Sequence, residues 1–254
     1  MKLRRLLFMQ PFNSTCPGAD IAAAVQDMTN RCKIADKEQS TDCSVKFICR
    51  GVTVCCRYFI DEDAPEYAGI LQELKDSPLL KKWGGKASVH TGGDIRPGDV
   101  SAVLAPDRKG ERAVFPMKWG YGSRRLLINA RAETAAVKPS FREDWVRHRC
   151  IVPASWYYEW EHTQDEKGRV RTGKRYRIRA EEGNMTWLCG LYHIEDGLPV
   201  FVILTREPGD EIRFIHDRMP LILPGELTDD WIRPETKPEE LLRYAQTKML
   251  FAAG

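Results

Sequence analysis

Cys55 heads the short apolar run Val54-Cys55-Cys56-Arg57-Tyr58-Phe59-Ile60, and its type and place suggest a particular chemistry. A cysteine whose own α-amine is free carries two nucleophiles on adjacent carbons. The amine titrates near ~8 and the thiol near ~8.5, so both keep a reactive fraction near neutral pH. Such a residue condenses with an aldehyde to a Schiff base and then closes its sulfur onto the imine carbon, giving a five-membered thiazolidine. That chemistry requires that nothing precede Cys55, whereas 54 residues do.

Three further segments place polar residues where a core strand should be apolar. Asn129-Ala130-Arg131-Ala132-Glu133-Thr134 follows directly on Leu126-Leu127-Ile128. Glu159 lies between Tyr158 and Trp160. Thr205 ends an apolar run and is followed at a distance by Ile215-His216-Asp217-Arg218-Met219-Pro220. Each alone has a plainer reading: a Glu between aromatics can be a strand residue facing water, and a single His is commonly a satisfied structural residue. Opening a sugar hemiacetal and dehydrating a carbinolamine both need proton transfer near neutral pH, which suits a His and a Glu of raised pKa. Guanidinium forks suit phosphate oxygens.

Taken in order, these segments, with Phe141-Arg142 before Trp145 and Arg149-Cys150-Ile151-Val152-Pro153-Ala154, resemble the SOS response-associated peptidase (SRAP) family, whose members covalently cap abasic sites in single-stranded DNA. The resemblance runs from Cys55 to roughly the end of the chain. It implies that Cys55 attaches to the abasic sugar, that Asn129 orients the amine and the sugar, and that Glu159 moves protons and assists removal of the residue before Cys55. It further implies that His216 acts as general acid and base, that Arg57 and Arg131 grip flanking phosphates, and that Thr205 sits beside His216. No cofactor and no metal is implied; the partner is single-stranded DNA bearing abasic sites. Two departures stand out. Cys56 replaces the family's usual glycine, and the loop before Asn129 is short, with Arg124-Arg125 in place of a Pro/Trp-rich segment. Contact with DNA through charge at Arg124 and Arg125 is the expectation there. Trp119 is either core or a base-stacking wedge.

Two other functions compete: a thiol peptidase using Cys55, His216 and Glu159 on peptides in trans, and a non-covalent DNA-binding module. Arg175, Arg177 and Arg179 form a basic strand face that reads as solvated, and Arg147 and Arg149 are ambiguous. His90, His148, His162 and His193 have no carboxylate or cysteine at ligand spacing and receive no role. Cys150 and Cys189 sit in apolar contexts and read as core. No Cys-x-x-Cys spacing supports a zinc or thioredoxin-like site.

Of 254 residues, 43% are hydrophobic and 30% charged, enough for one well-buried domain. No apolar run approaches the ~20 residues that cross a bilayer, and the basic start at Lys2, Arg4 and Arg5 is followed by only Leu6-Leu7-Phe8, too short for a signal peptide. A cytoplasmic monomer with no membrane partner is expected. Residues 1–54 hold eight Lys/Arg and five Asp/Glu out of totals of 39 and 36, so the net charge of +3 sits there and the remainder is neutral. Any nucleic acid must then be held by a local basic patch. Residues 1–54 read as a leader outside the mature protein, 1–53 being a disordered tail, an accessory element or, as favoured, sequence upstream of a start at Val54. Residues 55–254 form the single domain.

The elements that must position these residues are mostly short strands. Asp63-Ala64-Pro65-Glu66 reads as a carboxylate-capped helix start, with Tyr67, Ile70, Leu71 and Leu74 as its apolar stripe and Ser77-Pro78 as its stop. A hairpin is expected over 100–116, with strands at 150–152, 157–160, 175–179, 187–192 and 199–205. Ser140-Phe141-Arg142-Glu143 reads as a capping box, and short helices are expected at 227–232 and 238–244. The fold class is therefore α+β: a mainly β, curved or barrel-like core with peripheral helices.

Overall fold

A computed structural model describes residues 56–123, 126–167 and 169–254; Cys55, Arg124, Arg125 and the expected leader over 1–54 lie outside the described residues. The strands are β1 (Arg57–Ile60), β2 (Gly93–Ile95), β3 (Val100–Pro106), β4 (Arg112–Trp119), β5 (Asn129–Arg131) and β6 (Arg149–Ala154). They continue as β7 (Trp156–Gln164), β8 (Val170–Ala180), β9 (Thr186–Glu195), β10 (Leu198–Arg206), β11 (Met219–Pro220), β12 (Ile222–Leu223) and β13 (Met249–Ala253).

Five of these close on themselves. β10 pairs antiparallel with β9 and parallel with β4, and the pairings of β4 with β3, β3 with β6 and β6 with β9 complete the ring. β10 can be shared this way because its first eight residues are all buried, the apolar run expected of a strand covered on both faces. At Gly190 in β9, an added Cβ would stand 2.8 Å from the Val202 carbonyl oxygen and 2.9 Å from the Cys150 sulfur. The missing side chain is what lets neighbouring strands approach that closely. A second sheet runs in the order β13-β8-β7-β1-β2. The α+β, mainly β, barrel-containing class is therefore the observed one.

The expected hairpin is β3 and β4. The Asp107 carboxylate holds its turn by accepting the backbone N–H groups of Lys109 at 2.7 Å and Glu111 at 3.0 Å, and Gly110 takes φ 84°, a conformation cheap only for glycine.

Helices lie outside the strands. α1 (Pro65–Asp76) buries Tyr67, Ile70 and Leu74 and stops at Ser77, as its stripe predicts. Its N-cap is Ala64, extended and without a side-chain cap, so Asp63 does not cap it. Asp61 shapes the entry instead, its carbonyl accepting from Ala64 and its carboxylate from Asp63 N–H, and Pro65 needs no donor partner at the first turn. After α2 (Leu79–Trp83) and α3 (Ala132–Ala135), α4 (Arg142–Arg147) starts from Phe141 and not from a Ser140 capping box. Phe141 is buried, and seating its ring in the core displaces the helix start by one residue. α5 (Thr228–Ile232) and α6 (Pro238–Leu241) occupy the expected positions.

Two polar centres inside this framework went unassigned in the sequence. Asp144 on α4 accepts from Tyr121 Oη at 3.0 Å and stands 2.8 Å from His148 Nδ1 and 3.0 Å from His193 Nδ1; His193 Nε2 is 2.9 Å from Glu195. His148 and His193 thus do meet carboxylates, Asp144–His148 at i,i+4 and His193–Glu195 at i,i+2 being spacings the sequence already carried, while Asp144–His193 is brought together by the fold. Glu195 also accepts the Gly122 backbone N–H at 2.8 Å, tying β9 to the loop ahead of β5.

Arg149 is 1% exposed, which removes it from any DNA surface. Its guanidinium donates to the carbonyls of Trp231, Trp145, Val146, Thr236 and Arg233. Those carbonyls include the unpaired ends of α4 and α5, whose dipoles favour a cation there. Arg149→Ala strips partners from several buried carbonyls, each worth roughly 1–3 kcal/mol. The expected loss is on the order of 4 kcal/mol or more of unfolding free energy, read from the denaturant midpoint; a change below about 1 kcal/mol contradicts this role.

Candidate active site

β1 enters the second sheet with Tyr58 opposite Tyr157 and Arg57 opposite Tyr158 of β7. Period-two alternation therefore sends Tyr58, Tyr157 and Glu159 inward, and Arg57, Tyr158 and Trp160 outward. Glu159 is 2% exposed, and its Oε1 accepts the Trp160 backbone N–H at 3.1 Å. Cys56, just ahead of β1, is half-buried. Burial first, then the Glu159 charge, pushes its thiol pKa up, with Arg57 opposing. Cys56 is consequently held as a protonated thiol, a weak nucleophile.

β5 belongs to the barrel sheet. Asn129 lies opposite Ile203 and Arg131 opposite Thr205 in parallel pairing with β10, while Thr205 also lies opposite Pro220 of β11. The Asn-Ala-Arg motif and the His216 segment are thus both fastened to the end of one strand. Arg218 completes the fastening: Nη1 and Nη2 each donate to Glu133 at 2.8 Å, and Nη2 donates to the Thr205 carbonyl at 2.7 Å. Burial alone would raise the Glu133 carboxyl, but the Arg218 hydrogen bonds, its own backbone and the nearby arginine charges outweigh that and hold it below the usual range. This Glu133–Arg218 clamp joins residues 85 positions apart. Both residues lie in motifs visible in the sequence, but nothing there pairs them.

His216 is 3% exposed. Its Nδ1 accepts the Arg218 backbone N–H at 3.0 Å and stands 2.9 Å from the exposed Asp217 carboxylate. Its Nε2 is buried without a partner among the described residues. His162 on β7 packs against it with ring centroids 4.2 Å apart, and its backbone N–H donates to the Ile215 carbonyl. Burial first, then His162, lowers the His216 pKa to about 4, with Asp217 opposing and Arg218 reinforcing. A neutral imidazole with an occupied Nδ1 keeps its proton on Nε2. His162, given no role from the sequence, is the neighbour that sequence spacing could not reveal.

The remaining expected residues divide. Arg131 is exposed. Thr205 is 2% exposed and donates from Oγ1 to the Ala130 carbonyl at 3.4 Å, so it can bear on DNA only through what it positions. Trp119 is wholly buried, its Nε1 donating to the Ile128 carbonyl at 2.9 Å. It is a core residue and not a base-stacking wedge: burying the large ring and satisfying its N–H against the segment before β5 wins over exposing it.

The outer face of β7 carries Trp156, Tyr158 and Trp160, and each ring has an arginine over it: Arg177 at 5.6 Å, Arg175 at 5.0 Å and Arg57 at 5.9 Å. Phe59 stacks on Trp156 with centroids 4.3 Å apart. The β8 arginines read from the sequence as a solvated face are thus laid on aromatic rings, each pair worth about 0.5–1 kcal/mol at an exposed position.

The His216 shift has a stability consequence. An unfolded histidine titrates near ~6.5, so between there and about 4 the unfolded chain takes a proton that the folded one refuses. Stability falls as pH falls through that window, by up to about 3 kcal/mol. His216→Gln should lose less stability than wild type on going from about pH 7 to about pH 4, compared by denaturant midpoints. Equal losses in the two proteins would rule out a suppressed His216 charge.

The description "SOS response associated peptidase (SRAP)" belongs to a family model that matches residues 54–252. Abasic site processing protein YoqW of Bacillus subtilis is 40% identical over 126 residues, 47% of this chain and 54% of that protein. Abasic site processing protein YoaM of Bacillus subtilis is 38% identical over 162 residues, 61% of this chain and 65% of that protein. The matched region thus spans a little over half the length of these relatives. A phage-related protein of Bordetella bronchiseptica has a solved structure with a TM-score of 0.57 at 25% identity, covering 79% of this chain and 94% of that one. With matched strands, a shared family profile and the quoted motifs all in one order, this chain belongs to the SRAP family.

Proposed function

We propose that this protein captures abasic sites in single-stranded DNA covalently through Cys55, once the residue before it has been removed. The observation that carries the reading is that β7, which pairs with β1 directly after Cys56, holds the buried carboxylate Glu159 and, through His162, packs against the buried neutral imidazole of His216. The names of YoqW and YoaM, abasic site processing proteins, support it.

In this reading the free amine of Cys55 adds to the C1′ aldehyde of the ring-opened deoxyribose, giving a carbinolamine. Loss of water forms the imine, and the Cys55 sulfur then adds to the imine carbon while the nitrogen regains a proton, closing a thiazolidine. Atoms balance with one water released. Glu159 and His216 move the protons of hemiacetal opening and dehydration, and Asn129 orients amine and sugar. Arg57 and Arg131, with Arg124 and Arg125, hold phosphates on either side. Glu159 also assists hydrolysis of the peptide bond ahead of Cys55.

Incubating protein confirmed by intact mass to start at Cys55 with abasic single-stranded DNA should give an adduct that survives denaturation. Cys55→Ala should give none. Cys56→Ala should retain it, because the raised Cys56 thiol is a poor nucleophile. Glu159→Gln should slow it on the order of 10²-fold. No adduct from the correctly processed wild type rejects the proposal, and turnover of peptides in trans instead would point to a thiol peptidase.

A further inference from the structure

β7 presents three outward aromatic rings at every second residue, Trp156, Tyr158 and Trp160, and the arginine over each comes from a neighbouring strand: Arg177 and Arg175 from β8, Arg57 from β1. The overlaps are diagonal. Arg57 and Arg177 both stand opposite Tyr158 in register, yet lie over Trp160 and Trp156 respectively, the reach that cross-strand neighbours two residues apart allow. The three guanidiniums therefore form a line along β7 with a step of roughly 6.7 Å, two residues of strand rise. A step of that order lets neighbouring guanidiniums meet neighbouring phosphates of one strand.

Charge complementarity points the same way. Arg177 has no ion-pair partner among the described residues, and Arg57 has only a loose one, 3.8 Å from Asp94, while Arg175 donates from Nε to the Gly254 oxygen at 3.1 Å. Guanidiniums held over aromatic rings can turn N–H edges toward anionic oxygens at little ordering cost. At the Trp156 end the line opens into a depression of about 250 Å³ lined by Trp156, Arg177, Arg179, Leu250 and Phe251, apolar in its walls and cationic at its rim, which suits one unpaired base.

We propose that this guanidinium–aromatic ladder is a track for the single-stranded DNA flanking the lesion, with successive phosphates on Arg57, Arg175 and Arg177 and a base seated in the depression beyond Trp156. The proposal rests on the reading of the protein as an abasic-site binder, since Arg57 belongs to both. It adds β8, and the end of the sheet remote from Cys55, to the surface that meets DNA.

The test uses an undamaged single strand of about 15 nucleotides, long enough to reach the track, so that binding does not depend on Cys55 chemistry. Full-length wild type, Arg175→Gln/Arg177→Gln, Arg175→Lys/Arg177→Lys and Trp156→Ala are compared by fluorescence anisotropy over a range of salt, with melting temperatures confirming that each is folded. The Gln pair should bind on the order of 10-fold or more weakly, with a salt slope shallower by about 1.4, two phosphates at ~0.7 each. The Lys pair should keep the wild-type slope yet bind more weakly, because a point charge does not hold the ring. Trp156→Ala should bind more weakly with an unchanged slope. Wild-type affinity and slope in the Gln pair would overturn the track, and wild-type affinity in Trp156→Ala would overturn the base seat. Failure of Cys55 capture with these results intact would sink the proposed function and leave the track standing.

Discussion

The closure of the barrel through β10 is the constraint on which the site depends. β10 is paired on both edges along its length, to β9 on one side and to β4 and then β5 on the other, and its end also receives β11. A strand so occupied has no freedom to slide. Asn129 and Arg131 are placed by parallel pairing opposite Ile203 and Thr205, and the turn carrying His216 is placed by β11 and by the Arg218 bonds to Thr205 and Glu133. Two motifs separated by more than eighty residues meet because one strand holds both. The apolar run that makes β10 a core strand is thus the same feature that makes the site possible.

Burial then sets the chemistry of the groups so placed. His216 is neutral because a charged imidazole is costly inside the fold and the adjacent His162 makes it costlier. Arg149, as deeply buried, keeps its charge within reach of helix-end carbonyls, although burial draws its pKa down. The difference lies in the partners: carbonyl dipoles stabilise the guanidinium, whereas His216 Nδ1 receives a donor and Nε2 has no described partner. The same physics separates Cys56 from a reactive thiolate, since burial and the Glu159 charge both favour its protonated form.

Much of this was legible in sequence, and the exceptions have identifiable causes. Alternation in 175–179, the Asp107 turn and the continuous apolar run of 199–205 reported strands because local pattern and tertiary role agreed. The caps at Asp63 and Ser140 failed because Pro65 and the burial of Phe141 fixed the helix starts one residue later. β13 carried no sequence signal strong enough to distinguish Met249–Ala253 from a loose end; its pairing with β8 supplies the order. Trp119 could be read either way because a ring's burial is decided by what surrounds it. His162 beside His216, the Asp144–His193 bond and the arginines over β7 share one property: each links side chains from different strands or helices, and no periodicity along one segment encodes a partner on another.

β7 shows why register matters more here than the identity of any one residue. Its inward side chains include Tyr157 and Glu159, and its outward ones Trp156, Tyr158 and Trp160. A slip of one residue against β1 or β8 would send Glu159 to the surface and bury the arginine-bearing rings. Register is pinned by Tyr58, wholly buried, whose phenol shares a 2.6 Å hydrogen bond with Ser101 of β3, and by Phe59 stacked on Trp156. The inner pin joins β1 to the barrel and the outer one joins it to the aromatic face. A strand of four residues can therefore hold β7 with its buried carboxylate on one side and its arginine-covered rings on the other, because each face stabilises the register that the opposite face requires.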